Sequence, residues 1–182
     1  MKEIKKSEAA EYLRVIKEDF KKYKGLGDKT FLQLDEKDFH FKFDEESNSI
    51  AVIMQHISGN IISRFTDFFN SDGEKPERNR DAEFEEAELQ KTELISTWEK
   101  SWQIFFSTLD DIKEVDLVRT VKIRNEPHSV IEALNRQATH YAYHIGQIVL
   151  IAKHLKKDKW QTLSVPKKKS EQFNKEMFSK KQ

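Results

Sequence analysis

The chain has no cysteine among its 182 residues, which removes disulfides, thiolate zinc sites, iron–sulfur clusters and a cysteine nucleophile together. Its five glycines and three prolines are too few for a turn-rich β sandwich and point to long helices. No apolar run approaches the length of a membrane span, and the opening MKEIKKSEAAEYL is charged throughout, without the apolar stretch of a secretion signal. A soluble, cytoplasmic protein is the expectation. Net charge is lacking too, since 32 basic and 32 acidic side chains cancel to +0. That zero hides a split. From Lys153 onward ten lysines face Asp158, Glu171 and Glu176, a local +7, and the preceding residues sum to −7 with an acidic run in DAEFEEAELQ at 81–90. A basic tail can serve nucleic acid or anionic lipid. No aromatic-plus-glycine RNA signature accompanies these lysines, so a solvated tail folded back on the acidic side is preferred and no nucleic-acid partner is expected.

What the chain does have is a core. Thirteen phenylalanines and three tryptophans recur at regular spacing, enough for one domain that buries about 70% of its unfolded surface. In the first helical segment, over 3–24, Ala9, Leu13, Ile16, Phe20 and Tyr23 share one face, and Gly25 and Gly27 are the expected terminators. Phe39, Phe41 and Phe43 then alternate with polar residues, which suggests a short extended stretch with His40 on the wet side. A second helix follows the N-cap chemistry of Ser47–Asn48–Ser49 and runs to Asn70, with Ile50, Ile53, Met54, Ile57, Ile61 and Phe68 inward. The long break NSDGEKPERNRD suggests a crossover, not a hairpin. A third helix is expected over 84–113 on Ile95, Trp98, Trp102, Phe105, Leu109 and Ile112, a strand or turn in DLVRTVKIRNEP, and a fourth helix that Pro127 precedes and that extends to about Leu155. The reading is therefore all-α, a four-helix bundle over 1–165 with a lysine-rich tail, 166–182, that holds a short final helix packed on the bundle or extending from it.

The fourth helix carries an anomaly. Its seam of Val130, Leu134, Gln137, Tyr141, His144, Ile148, Ile151 and Leu155 is apolar at both ends and polar in the middle, where Gln137, His140, His144 and Gln147 cluster on one side. Buried polar groups need partners. A metal ion is one, because histidines at i and i+4 aim two imidazoles at a single point. A third ligand must come from elsewhere. His128 lies at the helix entry, His154 three turns beyond among lysines, and His40 on an exposed stretch. His56 remains, flanking the apolar stripe of the second helix. The competing reading is that two core-edge histidines simply bond to Tyr, Glu or backbone. A zincin is excluded, because Tyr-Ala-Tyr follows His140 and supplies no glutamate base.

NSIAVIMQHISGN (48–60), RNRDAEF (78–84) and ATHYAYHIGQI (138–148) resemble the DinB/YfiT-like superfamily of bacterial metalloenzymes, which includes the bacillithiol S-transferases. The resemblance covers most of the chain in order and spacing. It implies a four-helix bundle with a long crossover between helices two and three, a homodimer, and a metal site made by His56, His140 and His144. It also implies a divalent ion, nickel or zinc first and iron or manganese next. Three imidazoles leave positions open, which favours catalysis over a closed structural site. The expected chemistry is transfer of a low-molecular-weight thiol to an electrophile. The alternatives are metal-dependent hydrolysis and a non-catalytic dimeric bundle with a binding or stress-response role. Asn60, Arg64, Gln137 and Gln147 are the candidates to orient an imidazole or a substrate, with ordinary interhelical bonding as their other role. For Arg64 the competing partners are Asp67 and Asp81.

Overall fold

Serine caps start three of the helices. In the computed structural model, which describes residues 7–180, Ser7, Ser49 and Ser129 sit in extended backbone and accept the N–H groups of Ala10, Val52 and Glu132. They open α1 (Glu8–Phe31), α2 (Ile50–Phe65) and α4 (Val130–Lys156). Helix α3 (Lys91–Asp111) begins at Gln90, whose N–H is taken by Glu93, and α5 (Ser170–Ser179) closes the chain. The only strands among the described residues are β1 (Thr120–Ile123) and β2 (Glu126–Ser129), an antiparallel hairpin between α3 and α4. The class is all-α, as the sequence suggests. The expected helix start near residue 3 and the final tail residues 181–182 lie outside the described residues.

Side-chain contacts fix the direction of each helix. Ser101 donates to Ser58 at 3.3 Å and Thr108 to the Phe65 carbonyl at 3.0 Å, so α2 and α3 run parallel. Tyr12 reaches Asn135 at 3.0 Å and Phe20 packs on Tyr141 at 5.9 Å, so α1 and α4 are parallel too. Lys17 pairs with Asp110 and Lys24 with Glu99, which sets α1 antiparallel to α3. The bundle is thus up-down-down-up. A parallel α2–α3 pair forces the chain to travel back along a helix roughly 24 Å long, and residues 66–90 make that return. Phe20, Trp98, Trp102, Phe105 and Tyr141, all fully buried, fill the centre.

Several expected boundaries shift. Gly25 and Gly27 do not end α1, which continues to Phe31. Gly27 instead lets two helices approach, because a Cβ there would lie 2.9 Å from Trp98 Cζ2. Helix α2 stops at Phe65, and the chain turns at Asp67 with φ 50°. Helix α3 starts at Lys91, not Phe84, because residues 81–84 form a single 3₁₀ turn laid on α2. Pro127 does precede α4, as expected, and sits in β2. The phenylalanine stretch is a 3₁₀ turn over Glu36–His40 followed by loop; Phe39 is fully buried and Phe43 is 48% exposed, so the strand-like alternation does not hold. His40 is half-buried, not wet, with Nε2 3.0 Å from the Leu89 carbonyl. Residues 166–180 are exposed throughout, and among the described residues no ion pair joins them to 81–90, so the tail is not folded against the acidic run.

Candidate metal centre

Helix α2 is buried almost all round, with thirteen of its sixteen residues inaccessible, because α3, α4 and the crossover cover separate sides. That coverage is why His56, off the main apolar stripe, is only 4% exposed. One turn of α4 presents His140 and His144 to the same point. His56 Nε2 and His144 Nε2 each lie 3.1 Å from His140 Nε2, and one ring nitrogen from each of the three residues falls within 4.8 Å of the other two. His40, His128 and His154 stand apart; His154 packs between Phe41 and Phe43.

The partners of the outer nitrogens decide what the inner ones can do. His56 Nδ1 is 3.0 Å from a Glu83 carboxylate oxygen, which only accepts, so Nδ1 carries the proton and Nε2 a lone pair. His144 Nδ1 donates to Gln147 Oε1 at 2.8 Å, with the same consequence. Two lone pairs therefore meet at His140 Nε2, and its single proton can serve only one of them well. A second proton on His140 is no remedy, because burial first, then His144, His56, Arg64 and Arg78, press its pKa down to about 3. Burial also lowers that of His144. Two nitrogens on one tetrahedral cation at about 2.0–2.1 Å stand about 3.3 Å apart, close to the two 3.1 Å separations from His140 Nε2. The donor set fits a divalent ion.

Glu83 is held in turn. Arg78 grips its carboxylate in a fork, Nε to Oε1 at 2.7 Å and Nη2 to Oε2 at 2.8 Å. Burial opposes the charge, but the bonds from His56 and Arg78 outweigh it and hold the carboxyl below the usual range. Gly59 leaves the space that this carboxylate occupies, since a Cβ there would overlap Glu83. Phe84 covers His56, ring centroids 4.5 Å apart, and Arg80 caps Phe84 at 4.8 Å.

Of the expected orienting residues, Gln147 hydrogen-bonds a histidine, and the others have no hydrogen bond to one. Asn60 accepts from the fully buried Tyr141 hydroxyl at 3.1 Å. Arg64 pairs with Glu74 at 3.1 Å and donates to the Gly73 carbonyl, in place of Asp67 or Asp81. Gln137 is buried with its side-chain oxygen unpartnered. Asn60, Arg64 and Gln137 line a cleft of about 390 Å³ that opens on His56 and His140. Glu83, Arg78 and Gly59 were missed as site residues. RNRDAEF marked the first two, but the apolar period placed Phe84 at a helix start and hid the turn that aims Glu83 inward.

A family model described as a protein of unknown function (DUF1572) matches residues 7–169, from the cap of α1 to the residue before α5. No curated protein matches the chain.

Proposed function

The chain belongs to the DUF1572 family, and we propose that it is a divalent-metal-dependent enzyme of the DinB/YfiT-like kind, acting on a small thiol that it transfers to an electrophile. The observation that carries the reading is the convergence of three Nε2 atoms at the head of a cleft, with the outer nitrogens of His56 and His144 occupied by Glu83 and Gln147. His56, His140 and His144 would hold the ion; imidazole sets of this type suit nickel and zinc. When bound, such an ion supplies Lewis acidity that lowers the pKa of a thiol or water sharing the site.

The chain's own residues do the rest. Glu83 and Gln147 keep the Nδ1 protons of His56 and His144 in place, so each ring turns a lone pair inward and cannot swivel. Phe84 and the crossover shield the back of His56 from water. Three protein donors are one fewer than a closed structural site uses, and the cleft lies where an exchangeable ligand would enter. Both features favour chemistry over a merely structural ion.

The test is elemental analysis of the purified protein with thiol-transfer assays before and after chelation. We expect about one divalent ion per chain, activity lost on chelation and restored by metal, and His144→Ala folded by circular dichroism but without metal or activity. Metal loss that unfolds the chain, or no transfer with any thiol tried, contradicts the reading.

A further inference from the structure

The geometry points to an oxyanion site in the cleft: a small substrate carries a phosphate or carboxylate that arginines hold while its reacting atom reaches the three histidines. This rests on the histidine centre being where reaction occurs, and names the class of molecule it takes. Five guanidinium groups line the cleft, from four separate places in the fold: Arg64 on α2, Arg78 and Arg80 on the crossover, Arg124 at the hairpin turn and Arg136 on α4. Three carboxylates stand among them, and all are committed. Glu83 serves Arg78 and His56; Glu74 serves Arg64, Arg78 and Arg124; Asp72 takes the backbone N–H groups of Glu74, Arg124 and Asn125. Five against three leaves an excess of two positive charges. Arg80 and Arg136 have no carboxylate partner among the described residues.

Buried groups without partners say the same independently. Arg64 is 6% exposed, yet its Nε–H has no acceptor; Gln137 is 2% exposed, and its amide oxygen has no donor. Both residues line the cleft, and an oxyanion on Arg64 with a hydroxyl or N–H of the same ligand on Gln137 would complete both once these two covered atoms turn to face it. Guanidinium forks match the paired oxygens of carboxylate and phosphate alike. The recess, about 390 Å³, has the size of a small-ligand pocket rather than of a nucleic-acid groove.

Isothermal titration of the purified protein with sodium pyrophosphate and with sodium succinate tests this. We expect one anion per chain, with affinity about tenfold weaker in Arg136→Ala and in Arg80→Ala, both at exposed positions, with circular dichroism confirming that Arg80→Ala stays folded without its stack on Phe84. Arg119→Ala, an arginine stacked on Phe69 outside the cleft, leaves affinity unchanged. His144→Ala keeps anion binding even where it loses metal, which separates this proposal from the metal reading. The tighter of the two anions assigns phosphate or carboxylate. The proposal is overturned by no binding of either anion, by equal weakening in Arg119→Ala, by binding of an oligonucleotide alone, or by binding that disappears in His144→Ala while ignoring Arg80 and Arg136.

Discussion

Glu83 shows how much of the site rests on a single side chain from outside the helices. It fixes the tautomer of His56 and neutralises Arg78, so removing its charge should loosen the ligand without dismantling the bundle. Glu83→Gln keeps an acceptor but no charge, and metal affinity should fall about 10–100-fold by competition with a chromophoric chelator. An unchanged affinity would mean that Glu83 orients nothing. Gly59→Ala should act in the same direction, because its Cβ displaces the Glu83 carboxylate. At this scale the sequence was partly legible. Two histidines one turn apart on a seam that should be apolar are visible as a pattern in α4, and His56 was favoured by elimination among the other histidines and settled by the family resemblance. Glu83 was not legible, since its role depends on a non-periodic turn landing on α2.

Among the elements, α1 and the hairpin show where local rules yield to tertiary ones. Glycines at 25 and 27 look like a helix stop, yet the face of Leu13, Ile16 and Phe20 continues to Phe31 and packing carries the helix through. Gly25→Ala, with nothing within 4 Å of its Cβ, should stabilise the protein by about 0.5–1 kcal/mol. Gly27→Ala should cost about 1–3 kcal/mol against Trp98. Urea denaturation checks both, and two gains would refute the close-approach argument. In the hairpin, Arg124 and Asn125 have φ 55° and 62°, the left-handed turn that fits antiparallel strands, and Asp72 accepts both of their N–H groups at 2.8 and 2.7 Å. Burial alone would raise the pKa of Asp72, but its three backbone donors outweigh this and lower it. A lowered folded-state value means the stabilisation is complete above about pH 4 and fades as pH falls through that value. Asp72→Asn should therefore melt a few degrees early at neutral pH, with the gap to the parent narrowing as pH falls below about 4. A pH-independent gap would contradict the charge-based clamp.

The whole molecule follows from two parallel helix pairs and the return that joins them. The all-α class and the crossover were legible, because heptad-like apolar spacing and a twelve-residue polar break survive without tertiary information. The cleft was not, because its five arginines come from α2, the crossover, the hairpin and α4, and no local pattern links them. No helix among the described residues is long and apolar enough to cross a membrane. In the proposed function the interior has one use: residues 56, 140 and 144, whose ring nitrogens lie within 4.8 Å of one another, would hold a cation with a position left for an incoming ligand. Cobalt(II) titration of the metal-stripped protein, followed by visible absorption before and after a small thiol is added, examines that most directly. The account predicts saturation at one cobalt per chain and a spectrum that changes when the thiol arrives. Absence of binding, or a cobalt spectrum indifferent to every thiol, would contradict it.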